Sequence, residues 1–490
     1  MTDGEPLPGA AQRLASTPET KTATDRKTTA DEASAARTAE TGTSGEPAAG
    51  RGSGSGSDPE PGSSPDSVAA RLDHLFRQEA GRLVALLTRG FGAARMDLAE
   101  EMVQEAMVRA LRRWPYHGMP EDPAGWLYRV ARNLALDHVR RDATFREKEP
   151  AIRDRLPTVS PAPETGLAGD ITDDQLRLVF LCCHPALPRD SRVALTLKTV
   201  GGFSAAEIAR GFLAREATVA QRLVRAQRRI RELGLRFELP GEKELPERLE
   251  AVFDAIYLMF NEGYAGHGGD RWIRRDLCAE ALRLVVSLTR LQLPGFDVRL
   301  RARAHALASL LFFQASRLEA RQDSAGGLVL LADQDRSLWD RRALRLGFAH
   351  LEKSGVGDRI SPYHLQAHIA SYHASAADDS GTEWSAILEL YDQLARLEPT
   401  PVVLLNRAVA VAEVHGVEAA LEAVAVLEQE VSLERYHLLH AVRADLLRRR
   451  GERAAAAEAY RRALELAGST PERLFLGQRL AELEALDGGP

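Results

Sequence analysis

Between Ser204 and Arg236 eight arginines stand against three glutamates, a local excess of positive charge suited to the phosphates of a nucleic acid. Within Ala217-Thr218-Val219-Ala220-Gln221-Arg222-Leu223-Val224-Arg225, the residues Thr218, Gln221, Arg222 and Arg225 recur at helical spacing and share one face. Val219, Leu223, Val224 and Ile230 are the residues expected to turn inward. Arginine pairs bidentately with guanine and glutamine with adenine, so the polar face carries side chains that read base edges in a major groove. Upstream, Ser204 and Glu207 have the spacing of a capping box, which fixes the start of a preceding helix. Two short helices joined by a turn, the second one basic, make a helix-turn-helix.

Other chemistry-bearing residues fit bland roles better. Cys182, Cys183 and His184 are neighbours and point in different directions on a helix, so no zinc site is expected. His364 and His368 share a helix face near His373, but lack the glutamate of the metalloprotease motif, so they are expected to be packed or surface histidines. Asn261-Glu262-Gly263-Tyr264 followed by His267-Gly268-Gly269-Asp270 is the most enzyme-like stretch, and it reads as a helix end at Gly263 and Gly266. No phosphate-cradling loop, nucleophile elbow or kinase signature occurs. The expectation is a protein that is not an enzyme and holds neither metal nor cofactor.

The 490 residues carry a net charge of −6, and residues 1–70 alone hold 6 basic and 11 acidic residues. The rest is nearly neutral, so the total does not argue against a nucleic-acid partner. Those first residues are rich in Gly, Ala, Ser, Thr and Pro and have no aromatic residue, which predicts a disordered tail over residues 1–67. Three cysteines and the lack of a secretory signal or a spanning apolar run predict a cytoplasmic chain that does not enter a membrane.

Beyond the tail the apolar periodicity is helical throughout, and the predicted fold class is all-α. Leu83, Leu86 and Leu87 mark one helix, Leu98, Met102, Val103 and Leu111 a second, and Trp126, Leu127, Val130, Ala131 and Val139 a third. Trp114 to Pro120, with two prolines and a glycine, reads as a loop. Toward the carboxy terminus, Gly416 and Gly451 lie 35 residues apart, each ending a helix, and Tyr391 and Tyr460 hold equivalent places. That period is close to the tetratricopeptide repeat.

Two stretches, Asp97-Leu98-Ala99-Glu100-Glu101-Met102-Val103-Gln104-Glu105 with Gly125-Trp126-Leu127-Tyr128-Arg129-Val130-Ala131-Arg132-Asn133, and the helix-turn-helix, occur in an order that resembles the extracytoplasmic-function sigma factors of bacterial RNA polymerase, members of the sigma-70 family. Ile256-Tyr257-Leu258-Met259-Phe260-Asn261-Glu262-Gly263-Tyr264, Asp333-Gln334-Asp335-Arg336-Ser337-Leu338-Trp339 and Leu405-Asn406-Arg407-Ala408-Val409-Ala410 resemble the subgroup with a tetratricopeptide-like carboxy-terminal extension. The resemblance implies sigma region 2 over residues 68–147, a linker over 148–172, sigma region 4 over 173–238, a helical extension domain over 239–375 and helical repeats over 376–490. It implies that Glu100, Glu101, Gln104 and Glu105 dock on core RNA polymerase. It further implies that Arg129, Arg132, Asn133, Arg140 and Arg141 hold the opened minus-ten element of promoter DNA, Asn133 by gripping a flipped base. Thr218, Gln221, Arg222 and Arg225 would read the minus-thirty-five duplex. The extension is expected to regulate initiation and to meet a protein or peptide partner. The alternative is a helix-turn-helix regulator that acts without polymerase, with the repeats as a protein-interaction domain.

Overall fold

The computed structural model describes residues 65–141, 149–156, 173–211, 215–264, 273–323, 326–429, 433–434 and 436–487. Residues 1–64 of the expected disordered tail and His267 lie outside the described residues, while residues 65–67, expected in that tail, already belong to a helix. Helices α1 (Pro65–Phe91), α2 (Met96–His117) and α3 (Pro123–Arg141) form the first module. Leu83 and Leu87 of α1, Val103 and Ala106 of α2, and Leu127, Ala131 and Ala135 of α3 are buried. The alanines at helical spacing let the axes approach closely. Gly92, at φ 82°, and a short 3-10 turn over Ala93–Arg95 reverse the chain between α1 and α2.

Helix α2 runs through Pro115, so the loop expected from Trp114 begins only at Gly118, whose φ is 76°. Trp114 explains the continuation. It is buried, its ring meets Trp126 edge-on at 5.4 Å, and it anchors the last turn from one side. Leu111, whose carbonyl Pro115 cannot bond, is exposed to water that can take its place. The stretch expected as linker also carries structure, a short helix α4 (Glu149–Arg155). Its Ile152 and the following Leu156 are buried, and Leu156 fills the space a side chain at Gly90 would need.

The second module comprises α5 (Asp173–Cys182), α6 (Arg189–Thr199), α7 (Ala205–Gly211) and α8 (Glu216–Glu232). A Cβ on Gly81 of α1 would lie 2.2 Å from the carbonyl oxygen of Val200, so the two modules approach at backbone level. Next come α9 (Leu245–Tyr264), α10 (Arg275–Thr289), α11 (Val298–Ala315), α12 (Arg341–Ser354) and α13 (Pro362–Ser375). Gly263 lies inside the last turn of α9 rather than capping it. A Cβ there would meet the Arg274 carbonyl at 2.8 Å and the Cys278 nitrogen at 2.9 Å, so its absence brings α10 against α9. Arg321 is wholly buried, its guanidinium 3.6 Å from the centre of the Tyr264 ring, and it donates to the Tyr264 carbonyl. Burial lowers its pKa to about 10.

Six further helices close the chain: α14 (Trp384–Leu397), α15 (Pro401–His415), α16 (Val417–Leu427), α17 (His437–Arg450), α18 (Arg453–Leu466) and α19 (Thr470–Asp487). Each packs on the next, and Tyr391 and Tyr460 sit in two successive cores. Gly416 and Gly451, at φ 91° and 90°, end α15 and α17. Among the described residues there is no strand, only an isolated bridge between Gln322 and Leu328. The described residues from 74 onward belong to one compact unit.

Candidate nucleic-acid interface

The start of α7 is fixed as the spacing predicts: the Ser204 backbone N–H donates to Glu207 Oε2 at 2.8 Å and the Glu207 N–H donates to Ser204 Oγ at 3.2 Å. Val219, Leu223, Ala226 and Ile230 bury one face of α8. Val224 does not join them; it is 59% exposed, and Ala226 takes the inward place instead. Thr218, Gln221 and Arg225 are exposed on the opposite face. Arg222 is half-buried and lies 3.4 Å from Asp190 of α6, an ion pair that orients it at the edge of that face.

On α3, Arg129 and Asn133 are exposed four residues apart, with Arg140 on the same stripe and Arg141 beside it. Arg129 lies 3.9 Å from Asp122. Arg132 is half-buried. Arg140 donates to Asp137 and Glu149, both at 3.1 Å, and its hydrogen bond holds the Glu149 carboxyl below its ordinary range. A phosphate would have to displace one of these carboxylates.

The expected docking face of α2 is divided by the fold. Glu101 and Gln104 are exposed, and Glu105 is half-exposed and accepts from Arg109 at 2.9 Å. Glu100, expected beside them, is 7% exposed and turned inward. One carboxylate oxygen accepts from Thr199 Oγ1 of α6 and the other from Gln227 Nε2 of α8 at 3.1 Å. Burial pushes its pKa up, and the hydrogen bond from Thr199 and the charge of Lys198 work against the rise. Beside Glu100, Arg231 donates to Asp97 at 2.9 Å, and between α1 and α5 Arg89 donates to Asp174 at 3.3 Å. Thr199, Gln227 and Arg231 escape sequence reasoning because their partners lie 99, 127 and 134 residues away.

Cys182 and Cys183 are buried, Cys183 lies 3.3 Å from Thr196 Oγ1, and burial raises its pKa to about 11. His364 accepts from the Ser361 backbone N–H at 3.1 Å and so caps α13. Glu262 is buried. Among the described residues no three metal-type ligands come together, and no helix is long and apolar enough to cross a membrane.

Comparison with known proteins matches residues 75–144 to sigma-70 region 2 and residues 177–230 to sigma-70 region 4. Residues 248–355 match a family of unknown function. An uncharacterised protein of Rhizobium meliloti (strain 1021) is 42% identical over 80% of this chain and 91% of its own length. The ECF RNA polymerase sigma factor SigE of Mycolicibacterium smegmatis is 32% identical over 33% of this chain, which spans 60% of that relative. The ECF RNA polymerase sigma factor SigL of Mycobacterium tuberculosis is 31% identical over 27% of this chain and 72% of its own length. No solved structure matches the chain. Two sigma-70 regions in order, carried on α1–α3 and α5–α8, with this kinship, make the chain a member of the extracytoplasmic-function sigma factors of the sigma-70 family.

Proposed function

We propose that this chain binds core RNA polymerase, directs it to promoters and starts transcription as a non-enzymatic cytoplasmic subunit, with its output governed by the extension after Pro240. In this reading Glu101, Gln104 and Glu105 form the polymerase contact. Arg129, Arg132, Asn133, Arg140 and Arg141 receive the opened minus-ten strand, because extruding a base requires polar groups and cations waiting on the surface. Thr218, Gln221, Arg222 and Arg225 read the minus-thirty-five duplex. The observation that carries the reading is the exposed stripe of Arg129 and Asn133 together with the exposed face of α8, two separate polar and basic surfaces on one chain. A helix-turn-helix regulator would use only the second.

The same geometry requires a rearrangement. Elements named for positions 10 and 35 lie 25 base pairs apart, roughly 85 Å along a duplex rising 3.4 Å per pair. Both reading helices touch α2, whose 22 residues span roughly 33 Å at 1.5 Å each. Helix α8 therefore has to leave α2 when both elements are bound, which breaks the Glu100 and Asp97 contacts. Purified core polymerase, the full chain and a promoter library provide the test. Core-dependent initiation from a defined promoter class is expected. Tight duplex binding without polymerase and without any effect on initiation would overturn the proposal.

A further inference from the structure

A cavity of about 120 Å³ lies where α6, α9, α11, α13 and the α14–α15 turn converge. One water needs on the order of 10–15 Å³ by this measure, so the space takes roughly eight or more water-sized atoms. Its lining is unusual for a helical core. Asn406 of α15 is 1% exposed, and neither its amide nitrogen nor its amide oxygen has a hydrogen-bond partner. Gln366 of α13 is 6% exposed and its Oε1 is likewise unpartnered. Buried polar groups are rarely left unpaired, and those that are commonly mark a missing ligand or water.

The charges on the wall show what kind of ligand would fit. Arg189 lies 3.8 Å from Asp254, and Arg303 pairs with Glu250 while its guanidinium lies 5.4 Å from the centre of the Tyr363 ring. Tyr363 donates to Asp254 at 3.3 Å, and its ring stands 5.7 Å from that of Tyr257. Glu398, half-buried at the cavity, makes no ion pair within 4 Å among the described residues and feels Arg189 and Arg303 only across the space between them. The lining thus holds two guanidinium groups and two carboxylates, a balanced set that favours neither a net anion nor a net cation. A zwitterion satisfies it: an ammonium group donates to Glu398 and to the Asn406 oxygen beside aromatic rings, and a carboxylate accepts from the Asn406 nitrogen near Arg303.

We propose that this cavity is a binding site for a free α-amino acid or a close zwitterionic analogue, held by Glu398, Asn406 and Arg303. Arg189 is the first residue of α6, which also carries Thr199, so occupancy reaches the helix that grips Glu100. That last consequence rests on the sigma reading above; the binding site does not.

The test uses the full chain and the twenty standard amino acids, each added singly at millimolar concentration, with melting temperature and calorimetric titration as readouts. Methylamine and acetate, the two halves of the zwitterion, serve as controls. At least one amino acid is expected to raise the melting temperature in a saturable manner with one site per chain, while neither half does so at the same concentration. Glu398→Gln should weaken that binding at least tenfold. Asn406→Leu should abolish it while leaving the ligand-free melting temperature equal to or above that of the parent, because an unpartnered amide is replaced by an apolar group. Should Asn406→Leu fail to fold, Glu398→Gln at its half-exposed position carries the test. A flat response to all twenty, or a shift that survives Glu398→Gln undiminished, would overturn the proposal. Binding is read without polymerase or DNA, so it stands or falls apart from the sigma reading.

Discussion

Helix α8 has two polar edges with opposite fates. Gln227 and Arg231 are turned to α2, where they meet Glu100 and Asp97. Thr218, Gln221 and Arg225 face water. The residue types on the two edges are nearly interchangeable, so composition does not separate them; what does is whether another part of the chain offers a partner. On α2 the contrast repeats between neighbours, Glu100 buried and Glu101 exposed. Burying a carboxylate costs unless hydrogen bonds replace water, and the donors from Thr199 and Gln227 supply that replacement. A contact built this way holds the modules together, yet it is polar enough to exchange for water when they part.

The most drastic way to break the comparison is to remove the extension. Arg248 of α9 donates to the Phe180 carbonyl at 2.7 Å, Arg274 donates to the Glu207 carbonyl at 3.1 Å, and Leu245, Leu249 and Phe253 are buried. Each such apolar side chain is worth about 1.5–3 kcal/mol of burial. A chain ending at Pro240 is therefore expected to lose the cooperative melting of α5–α8, followed by circular dichroism. A cooperative melt at the full chain's temperature would mean that α2 alone suffices to hold region 4.

A smaller effect is expected from Thr199→Val, which leaves Glu100 buried with one donor fewer. It should destabilise the α2–α6 contact by about 1–3 kcal/mol, read as faster amide exchange in α2. Acidity supplies the control. The Glu100 carboxyl is raised by burial, so its ionised form costs stability above the folded value, and the cost fades as pH falls toward the usual carboxylate range. Glu100→Gln should accordingly melt higher than the parent at neutral pH, with the difference shrinking on acidification. A gap that widens at low pH would reverse the sign assigned here.

On the outward edge, Arg225→Ala should cost about 1–2 kcal/mol at one promoter position, measured as holoenzyme binding across a library, while an equal loss on every sequence would reassign it to phosphate. The smallest change is expected at the half-exposed Asp97 and Arg231 pair. Arg231→Ala should lower stability by about 0.2–1 kcal/mol, less at high salt, in a double-mutant cycle with Asp97→Ala.

Local signals made the helices, the capping box at Ser204 and the outward Thr218, Gln221 and Arg225 of α8 legible in the sequence, whereas Arg129 and Asn133 of α3 were reached only through the family resemblance. Two of the three departures share one cause. Pro115 stays helical because Trp114 is pinned by Trp126, Val224 faces water because Ala226 already fills the inward place, and Glu100 turns in because Thr199 and Gln227 wait for it. The first and the last depend on tertiary neighbours to which helical periodicity is blind, whereas Val224 lies about 100° from Leu223 around α8, so the period itself points it outward. The cavity at Asn406 was equally hidden, since its lining is drawn from residues 189 to 406.

The separation of α8 from α2 is most directly measured as energy transfer between dyes on Arg112→Cys and Glu232→Cys, both exposed positions, with the three native cysteines buried and slow to label. The free chain should show high transfer, and assembly with core polymerase on a promoter should lower it sharply, as a span of roughly 85 Å between the two elements demands. Transfer that stays high in a complex that initiates transcription would contradict the account.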